Sequence, residues 1–130
     1  VSWARRCVSE TGISPTFTSQ FSRMIIDNVT LNVDETIHDA WMKWMTEKHI
    51  PEMLQTGKFS KALLSQVLVQ EDMGGVTYSV QYTCSSRQLL EEYYEKDAEK
   101  LRQEGFDLFG SKFGAFRTEL KVVREYTVSN

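Results

Sequence analysis

The stretch Thr36–Leu54, TIHDAWMKWMTEKHIPEML, constrains the fold of this chain more than any other. Ile37, Ala40, Trp41, Trp44 and Met45 recur at three- and four-residue spacing. At about 100° per residue they share one side of an α-helix. Asp39, Lys43, Thr46 and Glu47 take the other side. Asp34 precedes the run and can cap the free N–H groups of the first turn. Pro51 lacks an N–H and crowds the residue before it, so the pattern predicts a helix ending at or near Ile50. Glu52–Gln55 then makes one short turn, with Gly57 as the stop. A face this wide and aromatic needs a broad apolar partner, and a sheet meets that need better than one more helix.

Strands flank this helix. Met24–Val33 alternates, with Ile25, Val29, Leu31 and Val33 on one side and Ile26, Asn28, Thr30 and Asn32 on the other. Phe59–Gln70 is rich in Leu and Val and reads as a second strand. Glu71–Gly75, EDMGG, is turn chemistry. Val76–Cys84, VTYSVQYTC, is the clearest strand, so strands two and three form a hairpin. Ser85 and Gln88 have capping-box spacing. They open a second helix over Ser86–Glu104 with Leu90, Tyr94, Leu101 and Leu108 as its buried stripe and a solvated charged face. Phe113–Tyr126 alternates again, with Phe116, Thr118, Leu120 and Val122 against Ala115, Arg117, Glu119, Lys121 and Val123. Thr127–Asn130 reads as a loose tail.

The order strand, helix, strand, strand, helix, strand predicts an α+β ferredoxin-like βαββαβ sandwich. Its four-stranded antiparallel sheet carries both helices on one face. Val29, Leu31, Tyr78, Val80, Tyr82, Phe116 and Leu120 are expected beneath the helices. The opposite face then carries Ile26, Asn28, Thr30, Ser79, Gln81, Ala115, Arg117 and Glu119. A mixed face of this kind is either solvated or closes against a second sheet in a dimeric α/β-barrel, which is the expectation here.

The chain has 130 residues, 41% of them hydrophobic and 25% charged, which suits one domain over residues 24–126. A net charge of −3 without a basic run argues against nucleic acid and anionic membranes as partners. No apolar run reaches the roughly 20 residues of a membrane span. Cys7 and Cys84 are far apart and unpatterned, which points to a reducing, cytoplasmic setting; Cys84 reads as a small buried thiol. Residues 1–23 lack apolar periodicity and the apolar core of a secretory signal, whereas a transit peptide stays open. Met24 directly precedes the first strand and is the expected natural start, with residues 1–23 a disordered upstream extension.

Chemistry-bearing motifs are sparse. No phosphate loop, GxSxG or CxxC is present. The two histidines cannot share a metal, because His38 and His49 are eleven apart, about 16 Å along a helix. His49, before Pro51, is a candidate base or ligand, with capping or packing as the plain alternative. Trp41, Trp44, Tyr78 and Tyr82 read as core. Arg117 and Glu119, two apart on one strand face, form the most site-like pair. Placed near Asn28 and Gln81, Arg117 could hold a carboxylate or phosphate bidentately, or make an inter-subunit salt bridge. The candidate ligand-binding set is therefore Asn28, Gln81, Arg117 and Glu119, the catalytic candidates are His49 and Arg117, and no metal or cofactor is implied.

Together MIIDNVTLNVDE, WMKWMTEKHIPEML, GGVTYSVQY and FGSKFGAFRTEL resemble a bacterial domain-of-unknown-function family, numbered 4286, over about Met24–Arg124. The resemblance implies a dimeric α/β-barrel form of the ferredoxin-like fold and brings no activity or catalytic residue with it. More distantly, His49–Pro51 is similar to the His-x-Pro of stress-responsive barrel and EthD-like proteins. Some of those are cofactor-free monooxygenases, haem-degrading enzymes or ring-forming enzymes. Three functions follow as expectations: a homodimer binding a small organic ligand between its sheet faces, a monooxygenase- or isomerase-like enzyme, or a non-enzymatic dimerisation module.

Overall fold

The computed structural model describes residues 23–68 and 74–129. Nearly all of the upstream segment, Cys7 included, and Glu71–Met73 of the hairpin turn lie outside the described residues. The strands are β1 (Ile25–Val33), β2 (Lys61–Gln66), β3 (Val76–Cys84) and β4 (Phe113–Lys121). After β1 the chain forms α1 (His38–Trp44), a π turn (Met45–His49) and α2 (Ile50–Gln55). After β3 it forms α3 (Arg87–Lys96) and α4 (Ala98–Phe109). The sheet order is β2-β3-β1-β4, antiparallel at every pairing. This is the ferredoxin-like arrangement, and the apolar sides of the helices cover one face of the sheet. Among the described residues no helix is long and apolar enough to cross a membrane.

The tryptophan helix packs as its periodicity requires. Trp41 is fully buried and Met45 nearly so, and Trp44 packs against the core from its margin. Ala40, by contrast, is exposed. Asp34 caps the first turn, its Oδ1 accepting from the Thr36 N–H at 2.8 Å and the Thr36 hydroxyl at 2.6 Å. Cys84 is buried at the end of β3, as expected for a small apolar thiol.

The helix does not end at Pro51. It widens into the π turn just upstream, where the Ile50 N–H reaches the Met45 carbonyl five residues back, and continues to Gln55. Proline lacks the N–H of a normal helical bond and its ring crowds the carbonyl four residues earlier. A wide turn at that point relieves both problems, so the His-Ile-Pro run lies inside a helical segment and is not a corner. Turns of this kind recur at functional sites.

The second helical region also departs from its expected form. Ser86, not Ser85, is the cap, its Oγ accepting from the Leu89 N–H at 3.2 Å. The helix breaks at Asp97, whose carboxylate accepts from Lys58 Nζ. The break rotates the buried stripe, which runs through Leu90, Tyr93, Ala98 and Leu101, leaving Leu108 exposed. β2 is shorter than its leucine content suggests. Phe59 lies before it, packed edge-on to Tyr93 at 4.9 Å.

The largest correction concerns β4. Val29 pairs with Val80 on one side and Arg117 on the other, so Val80 and Arg117 share the helix-covered face. Phe116 and Leu120 stand on the open face, Phe116 65% exposed. Both alternating sets of β4 carry apolar residues, and its sequence does not decide between them. Asp27 does decide. It sits on the helix side of β1 with no exposure, and Arg117 is its ion-pair partner.

Replacing Trp41 by Ala empties the centre of the core and is expected to lower unfolding free energy by about 3–5 kcal/mol. Trp44→Ala, at the margin, should lower it by clearly less. Urea denaturation of the two variants checks the ranking, and equal losses would contradict this placement of the helix.

Candidate functional site

A cavity of about 280 Å³ lies between the helix-covered face of the sheet and the helices. It is close to the lower end of known ligand sites, about 300–1,000 Å³. The sheet supplies Val29, Val80, Tyr82 and Arg117, the π turn supplies Met45 and His49, and α3 and α4 supply Tyr93, Leu101, Arg102 and Gly105. Arg102 and Ala115 are exposed as well as lining it, so the cavity meets solvent between α4 and β4. Gly105 is what leaves room on α4. A Cβ there would stand 3.0 Å from Trp44 Cη2 and 3.3 Å from Phe113 Cζ.

Two polar features interrupt the apolar wall. The first is His49, whose ring stacks on Trp44 with centroids 4.5 Å apart. Its Nδ1 is buried without a hydrogen-bond partner, as is Trp44 Nε1. Burial disfavours the imidazolium and pulls the His49 pKa down to about 4. The ring is therefore neutral at pH 7 and can accept or donate a hydrogen bond.

The second is Arg117. Its Nε donates to Asp27 Oδ1 at 2.5 Å, and its guanidinium lies over the rings of Tyr93 and Tyr94, 5.9 and 5.0 Å from their centroids. Asp27 Oδ2 is buried and unpartnered. Burial pushes the Asp27 carboxyl above its ordinary range, against the opposing pull of Arg117. Burial likewise raises the Tyr93 phenol to about 12, so that it stays protonated.

The expected site residues separate. Arg117 and His49 both line the cavity. Asn28 and Gln81 face each other across β1 and β3 on the opposite surface, where Asn28 Oδ1 accepts from Ser79 Oγ at 2.6 Å. Arg117 therefore cannot act with Asn28 and Gln81 within one subunit. Glu119 shares the face of Arg117 but accepts from the Tyr94 hydroxyl at 2.6 Å and from Arg87 Nη1 at 2.8 Å. His38 lies away from the cavity, its Nε2 2.6 Å from the Tyr78 hydroxyl oxygen. Asp27 and Tyr93 are additions to the candidate set. A charge inside the apolar alternation of β1 is the signal that marks Asp27. Among the described residues no group of three metal-ligating side chains forms a cluster.

The open face carries a second hollow of about 510 Å³, bounded by Ile26, Leu63, Gln81 and Thr83 and by Val122 and Tyr126 of the C-terminal run. It belongs to a surface on which Leu63, Phe116 and Leu120 are also exposed.

Because the His49 pKa in the fold lies below its ordinary 6.5, neutral His49 favours the folded state at pH above 6.5. That contribution is lost as pH falls from 6.5 towards 4, and the loss reaches about 3 kcal/mol. Urea denaturation between pH 7 and pH 4 should show it, and His49→Phe should flatten that part of the profile.

No curated protein sequence matches the chain. Solved structures do. A dimeric ferredoxin-like protein from an uncultured marine organism matches at TM-score 0.59 and 15% identity, over 80% of this chain and 99% of its own. An ethyl tert-butyl ether d (EthD) family protein from Bacillus halodurans C-125 matches at TM-score 0.55 and 10% identity, over 72% and 96%. A protein from Caulobacter crescentus CB15 named for the antibiotic biosynthesis monooxygenases matches at 0.52 and 16%, over 82% and 95%. At these identities the structural likeness establishes the fold alone. The family model described as Domain of unknown function (DUF4286) matches residues 24–123, and the chain belongs to that family.

Proposed function

We propose that this protein is a homodimer in which each subunit binds a small, largely apolar organic molecule between its sheet and its helices. The cavity carries the reading. It is apolar over most of its wall, and two of its lining residues hold buried polar atoms without partners, His49 Nδ1 and Trp44 Nε1. Unsatisfied buried polar atoms are uncommon, and a ligand or ordered water is a common reason for them. The ligand position is under the helices and not between two sheets, because Arg117 faces inward.

The open face supports the dimer. Polar Asn28, Ser79 and Gln81 run along its middle, flanked by Leu63 on β2 and by Phe116 and Leu120 on β4. Exposed apolar side chains around a polar seam suit a self-complementary interface better than water. One of the solved structures that shares the fold is itself a dimer.

A second reading, an enzyme of the isomerase or monooxygenase kind, draws on one feature. A neutral imidazole and a guanidinium wall the same cavity, so His49 could take a proton from a substrate whose developing negative charge Arg117 stabilises.

Native mass spectrometry tests the proposal on protein purified without added ligand. The expected result is a dimer that carries retained small-molecule mass, or that gains it when incubated with a small-molecule extract. Phe116→Asp combined with Leu120→Asp should yield a monomer with unchanged far-UV circular dichroism. A wild-type monomer would overturn the dimer, and a cavity that retains and gains nothing would overturn the ligand.

A further inference from the structure

The geometry points to an organic acid as the ligand: a carboxylate on a compact apolar body, bound through its anionic group by Arg117, with Asp27 taking up one proton as it binds. This rests on the ligand-binding reading of the cavity given above. It adds the charge of the ligand and the fate of a proton.

The cavity wall is one-sided in charge. Among the described residues its charged lining is Arg102 and Arg117, with no carboxylate, although the chain as a whole has a net charge of −3. Arg102 is exposed at the mouth, whereas Arg117 is deeper, between Val29 and the tyrosine rings. A guanidinium has five N–H donors in a planar fork, and the bond to Asp27 uses Nε. The fork is the chemistry that reads a carboxylate.

Asp27 is the reason proton uptake follows. It stands behind Arg117, with no exposure and with Oδ2 unpartnered. In the empty cavity Asp27 and Arg117 neutralise each other. A bound carboxylate would leave two anions, one of them without any exposure, on one half-buried cation, an arrangement that low dielectric disfavours. The groups around Asp27 do not relieve it. Glu119 of β4 adds negative charge, and Tyr82 of β3 with Tyr93 and Tyr94 of α3 are phenols shifted upward, hence neutral. A proton on Oδ2 removes the excess charge and gives that atom a hydrogen to donate. The balance is one carboxylate and one proton bound per cavity, with no bond in the ligand broken.

The experiment is isothermal titration calorimetry of the purified dimer with 2-naphthoate and with the neutral 2-naphthamide. Each is titrated at pH 6.5 in phosphate and in imidazole buffer, whose ionisation enthalpies differ. The expected result is naphthoate bound at least about tenfold more tightly than the amide, with uptake approaching one proton. Its affinity should fall by up to about tenfold for each unit rise in pH. Asp27→Asn should bind naphthoate at least as tightly with no proton uptake, which a merely structural ion pair would not produce. Asp27→Asn with Arg117→Gln keeps the site neutral, and should bind the amide normally while losing the preference for the acid. Equal binding of acid and amide would overturn the organic-acid inference and leave the cavity reading standing. Tight naphthoate binding without proton uptake would overturn the role of Asp27. Failure of both probes to bind would overturn the inference and the cavity reading together.

Discussion

The ion pair between Asp27 and Arg117 is the interaction on which the rest of this structure depends. A carboxylate with no solvent exposure is strongly destabilising unless a cation sits beside it. In this sheet the cation comes from the neighbouring strand. Val29 is in register with Arg117 and Asp27 with Glu119, so Arg117 reaches Asp27 along the diagonal. A one-residue slip of β4 would turn Arg117 outward and leave Asp27 alone under the helices. The pair thus determines which face of β4 is buried. Glu119 is carried to the same side, where the Tyr94 hydroxyl and then Arg87 donate to its carboxylate and hold it below the ordinary range.

From that choice of face both surfaces of the sheet take their character. Beneath the helices, Arg117 becomes the half-buried polar feature of a mostly apolar cavity, held over Tyr93 and Tyr94. On the other side, Phe116 and Leu120 are turned out and join Leu63 around the Asn28–Ser79–Gln81 seam. The π turn contributes the remaining piece. By absorbing Pro51 without ending the helix, it holds the His49 ring against Trp44 at the cavity wall. The proposed site and the proposed dimer face are therefore separate: the ligand reading belongs to the inner surface and the self-association reading to the outer one.

Much of this is legible in the residues alone, and the limits of that legibility are physical. The strict alternation of Val76–Cys84 and the spacing of Trp41 and Met45 report burial directly, because each has one apolar side and one polar side. The strand and helix order then leaves few topologies. β4 is different. Phe116 and Leu120 look like a core set, but edge strands tolerate apolar residues on an uncovered face when a partner can cover it. What settles β4 is a pairing across 90 residues of chain, which no local pattern records. Asp27 carries the clue, since a charge between Ile25 and Val29 on an otherwise apolar side of a strand demands a partner. The same displacement explains the candidate site. Arg117, singled out from its strand position, does line the cavity, and Asn28 and Gln81 are grouped with it only because the face of β4 is inverted.

The measurement that tests the central claim most directly is a double-mutant cycle on Asp27→Asn and Arg117→Gln, read by urea denaturation at pH 7. An ion pair whose carboxylate is sealed beneath the helices predicts a large loss for Arg117→Gln, about 3–5 kcal/mol, a smaller one for Asp27→Asn, which leaves a partly exposed guanidinium, and a double variant much less destabilised than their sum. Additive losses, or a harmless Arg117→Gln, would place Arg117 on the solvent side of the sheet and contradict the account.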